Sequence, residues 1–348
     1  MSKNNETNPA PPAQPKSRRA LLINLSLSAA SLLVFVALLE LAFRLLGYGN
    51  VEIYQADPQL YWKLKPNQHC YTKVDHRPVN INAHGTRGPD FQTAKPPGTL
   101  RILSLGDSRT FGWGLAEPET YSGVLESLVR QHFAGQRNVE VINAGVNAWS
   151  FPQMTVYFRE HGLKYQPDVV LVGDANLWTQ FSEQNSPDFV RKFMRRVQLK
   201  NFLRRFALYH YFVEVKLKEV YEKYRVKFVP VDPGQDKLFQ EQQQKDPDAF
   251  FRDAIDQLCT LALSNRVKPV LVYFPTQDEA NRPRQRNLRE AKAGIAQKLH
   301  IPFVDLTPDL PATGEPLYLD ADPIHFNVKG NQIIGTRLFQ TVTNLLSP

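Results

Sequence analysis

The chain has 348 residues, 42% of them hydrophobic, which is enough for one large globular domain with additional segments. Its formal net charge of +8 is compatible with a nucleic-acid, membrane or acidic-polymer partner. However, residues 191–227 hold 12 Lys or Arg against 3 Glu, so this segment carries +9 and the remainder −1. This distribution excludes a chain that is basic throughout, and no nucleic-acid partner is expected.

The N-terminal region is typical of a membrane anchor. Residues 1–19 lack any apolar period and end in basic side chains, so we predict a disordered tail. Residues 20–46 form an apolar stretch whose first 20 positions carry no charge, long enough for a hydrocarbon layer of ~30 Å. Positive charge precedes the stretch, and no small-residue cleavage site follows it. We therefore predict an uncleaved single span of the inner membrane, with a cytoplasmic tail and an extracytoplasmic domain.

After the anchor, residues 47–98 are rich in Pro, Asn and Gly and predict an irregular arm. Residues 99–348 then alternate short apolar runs with helical periods, which predicts an α/β domain with a parallel sheet covered on both faces. The predicted strands are 101–105, 139–142, 168–172, 269–274 and 303–306. The predicted helices are 121–133, 153–165, 250–263, 287–299 and 328–346.

Residues 178–248 interrupt this alternation and predict a largely helical insertion, because the segment is too long for a simple loop. Its aromatic and aliphatic residues recur at helical steps near one face, with basic residues between them. Three interpretations stay open: an amphipathic segment on anionic lipid, a lid that binds an anionic substrate, or a solvated helix that covers the core. The members of the apolar face are Phe193, Val197, Phe202, Phe206, Tyr209 and Val213.

Two motifs carry chemistry. Gly106-Asp107-Ser108 directly follows the first predicted strand, and a serine there can present its hydroxyl above the sheet as a nucleophile if a base removes its proton. Asp322-Pro-Ile-His325 stands just before the last predicted helix, where an acid three residues before a histidine can fold back and orient it as a general base. Each motif alone is weak, and the order Ser, Asp, His with the last two adjacent is more specific.

An ester carbonyl under attack also needs hydrogen-bond donors for its oxyanion. Three donors are predicted near the carboxyl ends of the first three strands, where sites of parallel sheets lie: the backbone N–H groups of Ser108 and Gly145 and the side-chain amide of Asn176. Cys70 and Cys259 fit no metal spacing, and no nucleotide-binding glycine pattern is present, so neither a metal nor another cofactor is expected. The two cysteines could form a disulfide in an extracytoplasmic domain.

Together these residues resemble the SGNH hydrolase superfamily, also called GDSL esterases and lipases, in its membrane-anchored bacterial form. The resemblance covers residues 100–346 and rests on Gly106-Asp107-Ser108, Gly145, Asn176 and Asp322-x-x-His325. It implies a flavodoxin-like three-layer fold, a Ser-His-Asp mechanism without metal, and an oxyanion hole of Ser108, Gly145 and Asn176.

Two of these motifs depart from the family pattern. Arg109 replaces the leucine of the family name, and Asp174-Ala-Asn176-Leu177 replaces Gly-x-Asn-Asp. A carboxylate at position 174 would oppose an oxyanion, so we expect Asp174 to point away or to be paired.

Three functions are compatible with the sequence. The first is an esterase that cleaves acyl esters, for example O-acetyl groups of glycans, and the second is a polysaccharide O-acyltransferase with the same triad, in which a sugar hydroxyl replaces water. The third is a non-catalytic envelope scaffold that binds anionic glycan or lipid through the basic insertion. The expected partners are thus the membrane and an acyl ester or O-acylated glycan.

Overall fold

The computed structural model describes residues 18–72, 76–175, 187–217, 248–277, 283–310, 316–320 and 322–346. It begins with a long apolar helix, α1 (Arg18–Leu45), none of whose residues is buried. Two antiparallel hairpins follow it. Their strands are β1 (Tyr54–Asp57) and β2 (Tyr61–Leu64), then β3 (Gln68–Tyr71) and β4 (Pro78–Ile81).

The central sheet has five strands, and every neighbouring pair is parallel. The strands are β5 (Thr99–Gly106), β6 (Asn138–Gly145), β7 (Val169–Val172), β8 (Lys268–Tyr273) and β9 (Phe303–Asp305). Their spatial order is β6-β5-β7-β8-β9, which is the 2-1-3-4-5 order of flavodoxin-like folds. The order reverses between β5 and β7, and in such sheets a site forms at the carboxyl ends of the strands beside that reversal.

Helices cover both faces of this sheet, as the sequence predicts. Side chains alternate along a strand, so Leu100 and Ile102 of β5 face one helical layer while Leu103 and Leu105 face the other. All four are buried. The predicted three-layer α/β sandwich is therefore confirmed. The helices are α2 (Ser108–Phe111), α3 (Tyr121–His132), α4 (Phe151–Glu160), α5 (Pro187–Leu203), α6 (Ala207–Tyr209), α7 (Ala249–Ser264), α8 (Pro283–Leu299) and α9 (Val328–Leu346).

Residues 47–98 differ from the irregular arm that the sequence predicts, because they contain both hairpins. Leu60, Tyr61 and Leu64 are 1%, 2% and 0% exposed and belong to the same core cluster as the sheet. The Trp149 indole also donates a hydrogen bond of 2.8 Å to the Trp62 carbonyl. Strands of four residues separated by Pro, Asn and Gly leave no readable period, and packing against the domain sets their conformation.

The described part of the insertion is helical. It comprises α5, α6 and a π-helical segment, His210–Leu217, whereas residues 178–186 and 218–247 lie outside the described residues. The predicted tail, residues 1–17, also lies outside them.

The two cysteines do not form a disulfide. Both Cys70 and Cys259 are buried in the core. Burial raises the pKa of the Cys259 thiol to about 12, so this side chain stays protonated. Both residues therefore act as small apolar core side chains rather than as reactive thiols.

We predict that Leu60→Ala destabilises the whole domain, because Leu60 is buried against the shared core. A buried Leu→Ala change costs about 2–5 kcal/mol of the free energy of unfolding. Urea denaturation of the full chain in detergent measures it. The matched control is Leu263→Ala, since Leu263 is 42% exposed and its truncation should cost about 0.5 kcal/mol or less. Equal effects of the two variants would show that the hairpins are not part of the cooperative unit.

Candidate active site

Ser108 lies at the tip of the turn that follows β5. Asp107 caps the short helix α2, its carboxylate accepting the Arg109 N–H at 2.9 Å. Gly106 is required here, because a Cβ would lie 1.9 Å from the Thr110 hydroxyl oxygen. The turn is therefore too tight for a side chain at position 106, and it places Ser108 at the first helical position.

The structure brings Ser108, His325 and Asp322 into one hydrogen-bonded chain. The Ser108 hydroxyl oxygen lies 2.7 Å from His325 Nε2, and His325 Nδ1 lies 2.6 Å from Asp322 Oδ2. An ionised carboxylate only accepts, so Nδ1 carries the proton and Nε2 accepts from the serine. This is the arrangement in which a histidine acts as a general base toward a serine. The Trp113 ring stacks beside the imidazole, with the ring centroids 5.7 Å apart.

The turn before α9 positions Asp322, the acidic member of this hydrogen-bonded series. Asp322 Oδ1 accepts the backbone N–H groups of Ile324 and His325 at 3.0 and 3.1 Å, so the backbone orients the carboxylate. Burial alone would raise the pKa of Asp322, but the hydrogen bond and charge of His325 and the two N–H groups lower it to about 2. Because the pKa of Asp322 is lower in the folded protein than in the unfolded chain, the ionised carboxylate stabilises the fold at pH values above the unfolded pKa. This stabilisation is lost as the pH falls through about 2. Asp322 is therefore ionised at neutral pH.

Four charged side chains form a network under the nucleophile turn. Arg109 contacts Asp107 Oδ2 at 2.9 Å and Asp174 Oδ2 at 3.2 Å, and the Lys292 ammonium contacts Asp174 Oδ1 at 2.6 Å. All four side chains are buried, and two positive charges balance two negative ones. Burial alone would lower the pKa of Arg109, but the two carboxylates raise it above its ordinary value. Asp174 is thus paired.

The network also fixes the ends of three strands. Asp174 follows β7 and accepts the Phe274 N–H after β8 at 2.9 Å. Its two carboxylate oxygens also accept from Arg109 and Lys292. The Asp174 carbonyl accepts the Asp107 N–H at 3.0 Å. Lys292 additionally donates to the carbonyls of Gly173 and Val272, at 3.0 and 2.6 Å.

The segment that follows β4 of the second hairpin supports the same turn from the other side. Arg87 is 2% exposed, and its guanidinium donates to the Phe111 and Gly112 carbonyls at 2.7 and 2.9 Å. These carbonyls belong to the C-terminal end of α2, where a cation is favourable. Burial lowers the pKa of Arg87 to about 10, so it stays charged at neutral pH.

Gly145, a predicted oxyanion donor, lies at the end of β6 directly beside α2. A Cβ at Gly145 would lie 2.2 Å from the Phe111 nitrogen, so its first requirement is close packing. Its N–H donates to the Asn143 side-chain oxygen at 3.0 Å. The oxyanion role would require this hydrogen bond to open. Asn176, the other predicted donor, lies outside the described residues.

Sequence reasoning missed Ala148, which lies in the turn after β6. Its φ of +65° is unusual for a residue with a Cβ, and non-glycine residues in this region cluster at functional sites. Within the described part of the chain, no acceptor takes the Ala148 N–H or the Ser108 N–H. No sequence pattern marks a non-glycine residue with positive φ.

A cavity of about 260 Å³ opens next to this turn. Trp113, which stacks on His325, and Ala148 form part of its wall. Tyr54 and Trp62 of the hairpins and Val197 of α5 complete its apolar side. The hairpins and the insertion thus shape the space beside Ser108. No group of three or more acidic, His or Cys side chains that could hold a metal exists among the described residues.

Comparison with known proteins agrees with this geometry. A family model described as the GDSL-like lipase/acylhydrolase family matches residues 104–333. The chain belongs to this family. It is therefore an enzyme that acts on ester bonds. No curated protein matches the chain significantly.

Several solved structures resemble the chain at low identity. A lipase/acylhydrolase from Enterococcus faecalis is 18% identical, with 70% of this chain and 96% of that one covered and a TM-score of 0.44. An acetylxylan esterase mutant from Geobacillus stearothermophilus is 13% identical, with 70% and 94% covered and a TM-score of 0.45. An esterase from a Pseudoalteromonas species is 13% identical, with 71% and 99% covered and a TM-score of 0.44.

Two of the residues that depart from the GDSL pattern, Arg109 and Asp174, lie in contact. Arg109 stands where the family name has leucine, Asp174 stands where the pattern has glycine, and the two form an ion pair at 3.2 Å. Lys292 neutralises the second oxygen of Asp174. The departures therefore compensate each other in charge. The opposite charges of residues 109 and 174 are a signal in the sequence that could predict their ion pair. No sequence pattern points to Lys292 as the third partner.

We predict that Arg109 and Asp174 are energetically coupled. Arg109→Leu leaves two buried carboxylates with one ammonium and should cost about 3–5 kcal/mol of the free energy of unfolding. The Arg109→Leu/Asp174→Asn double variant restores charge balance, so its cost should fall short of the sum of the single costs by about 1–3 kcal/mol. Denaturant titration of all three variants measures this coupling.

The control for this cycle is the more exposed ion pair between Arg289 and Asp305. Arg289→Leu should cost about 1 kcal/mol or less, because exposed pairs contribute little. Costs of Arg109→Leu and Asp174→Asn that add within about 0.5 kcal/mol would contradict the coupling.

Proposed function

We propose that the protein is a membrane-anchored serine esterase that works outside the cytoplasm and cleaves O-acetyl groups of glycans. The observation that carries the proposal is the unbroken chain from Ser108 through His325 to Asp322, with distances of 2.7 and 2.6 Å. Family membership indicates that the substrate contains an ester bond. The triad geometry supports Ser108 as the nucleophile.

In this mechanism the Ser108 oxygen attacks the ester carbonyl carbon while its proton moves to His325 Nε2. Asp322 accepts the hydrogen bond from the Nδ1–H group throughout and stabilises the imidazolium that forms. The imidazolium then protonates the leaving alcohol oxygen, and the acyl group stays on Ser108. A water molecule, deprotonated by His325, attacks this acyl-enzyme and releases the carboxylic acid and the serine.

We assign the oxyanion to the backbone N–H groups of Ser108 and Ala148. The Ser108 N–H belongs to the nucleophile itself, and Ala148 lines the cavity that Trp113 also lines. Neither N–H has an acceptor among the described residues, so both are available to an oxyanion. Asn176 stays the predicted side-chain donor. Gly145 would serve instead only after its hydrogen bond to Asn143 opens.

Two features of the cavity support a glycan ester as the substrate. The cavity beside Trp113, at about 260 Å³, has room for far more than an acetyl group, so it can receive part of a bulky alcohol such as a sugar. Its Trp and Tyr rings are surfaces on which the apolar faces of sugars can pack.

The anchor proposal rests on α1. This helix has 28 residues, a most apolar window of mean hydropathy 2.3, and no buried residue in that window. Basic residues precede it, which favours an N-terminus inside the cell. Its last turns also contact the domain: the Glu40 carboxylate accepts the Ala207 N–H at 2.8 Å. Such a contact is expected of a helix that stays attached to the domain rather than of a cleaved signal peptide.

We predict that Ser108 is the residue that reacts with a fluorophosphonate and that Ser108→Ala abolishes labelling. The same variant should lower kcat toward an aryl acetate by about 10³-fold or more, because no other hydroxyl replaces the nucleophile. Asp322→Asn should lower kcat by about 10³–10⁴-fold with little change in KM, since it disturbs the imidazole and not substrate binding.

Matched controls are Ser264→Ala and Asp320→Asn, both exposed and outside the triad. They should label and turn over like the wild type. Persistent labelling of Ser108→Ala would show that Ser108 is not the nucleophile. A wild type that neither labels nor hydrolyses the ester would favour the non-catalytic envelope scaffold. Phenol release that outpaces acid release when a sugar is added would identify transfer rather than hydrolysis.

A further inference from the structure

The helix α5 carries apolar side chains on two opposite faces. The inner face packs on the hairpins: the Phe193 ring lies 5.8 Å from Tyr61 and 5.3 Å from Trp62, measured between ring centroids. The sequence predicts that Phe193 and Phe202 share one face, and here the structure differs. Phe202 lies on the outer face and is 53% exposed.

Exposed apolar side chains continue from the outer face of α5 into the segment that follows it, with the Phe202 and Phe206 ring centroids 5.5 Å apart, and we call this set the outer patch. Its members are large apolar side chains that are between 42% and 60% exposed. Exposed apolar patches of this kind mark an interaction site, because a soluble monomer rarely leaves so much apolar area in water. The outer patch consists of Leu199, Phe202, Phe206, Phe212 and Leu217.

The outer patch is attached to the end of α1. Besides Ala207, the Glu40 carboxylate accepts the Leu208 N–H at 3.1 Å. The Phe43 ring lies 4.6 Å from Tyr211 and 5.7 Å from Phe212, between ring centroids. These contacts involve only the last turns of α1, and about 20 residues of helix already cross a ~30 Å hydrocarbon layer. The attachment therefore holds the outer patch level with the outer boundary of that layer.

Basic side chains continue the outer face toward the start of α5. Lys192, Arg195 and Arg196 are exposed and precede Leu199 and Phe202 at helical steps of three and four residues. Residues 187–217 contain eight Lys or Arg and two acidic residues, so the described insertion carries +6. Exposed basic side chains beside an apolar surface favour contact with an anionic bilayer, in which the apolar groups insert and the cations bind the headgroups.

We propose that the outer patch inserts into the outer leaflet of the membrane that α1 crosses, with Lys192, Arg195 and Arg196 on anionic headgroups. The proposal rests on the proposed anchoring by α1 and does not depend on the ester chemistry. Continuity with α1 and the surrounding positive charge favour lipid over a second copy of the chain, whose like charge would repel this face. The inner face of α5 lines the cavity through Val197, so the bilayer contact fixes the height of the active site above the lipid.

The test uses spin labels on the full chain in nanodiscs of equimolar phosphatidylcholine and phosphatidylglycerol. Phe202→Cys and Phe212→Cys place a nitroxide in the outer patch, Leu33→Cys places one in α1, and Leu263→Cys is a matched exposed position on α7. The native cysteines are buried. Power-saturation measurements give the accessibility of each label to oxygen, which concentrates in lipid, relative to a water-soluble nickel chelate.

We expect the oxygen-to-nickel ratio at positions 202 and 212 to exceed that at 263 several-fold and to approach that at 33. Charge-neutralising Arg195→Gln/Arg196→Gln should lower the ratio at 202. If the oxygen-to-nickel ratios at positions 202 and 212 equal the ratio at position 263 while position 33 shows a lipid-like ratio, membrane insertion of the outer patch is overturned and the anchor proposal still stands. A water-like ratio at 33 would overturn the anchor as well. Dipolar broadening between two copies at 202 would assign the outer patch to a dimer instead. Aryl acetate turnover by the same samples reports separately on the esterase.

Discussion

Four buried charges that cancel one another lie under the turn that presents Ser108. Arg109 and Lys292 place their cations on Asp107 and Asp174, and the backbone groups around them tie together the ends of β5, β7 and β8. An unbalanced charge there would carry a large desolvation cost, so the network holds only with all its members. Because Ser108 stands between two of them in sequence, its position relative to His325 depends on this balance.

The rest of the chain builds outward from that point. The strand order reverses between β5 and β7, which opens the edge of the sheet at Ser108. Arg87 joins the hairpins to the far end of α2, so a segment outside the sandwich supports the nucleophile turn. The insertion packs on the same hairpins and on the end of α1. A continuous series of contacts therefore runs from α1 to the active site.

Local patterns made part of this predictable. Alternating apolar runs gave the parallel sheet, and the strand-to-turn position of Ser108 and the three-residue step from Asp322 to His325 gave the triad that the structure brings together. The hairpins could not be predicted, because four-residue strands have too few positions for a period. Lys292 meets Asp174 across 118 residues, and a contact of that range leaves no pattern in either segment. The φ of Ala148 is likewise set by tertiary packing.

The proposed mechanism requires Ser108, His325 and Asp322 to act as one unit next to an oxyanion site. A crystal structure of the full chain after reaction with an alkyl phosphonofluoridate tests this requirement, because the adduct mimics the tetrahedral intermediate. We expect a covalent bond from the Ser108 oxygen to phosphorus, His325 and Asp322 still hydrogen-bonded, and the phosphoryl oxygen bound to the N–H groups of Ser108 and Ala148. An adduct on another side chain, or a phosphoryl oxygen held by other groups, would rule the mechanism out.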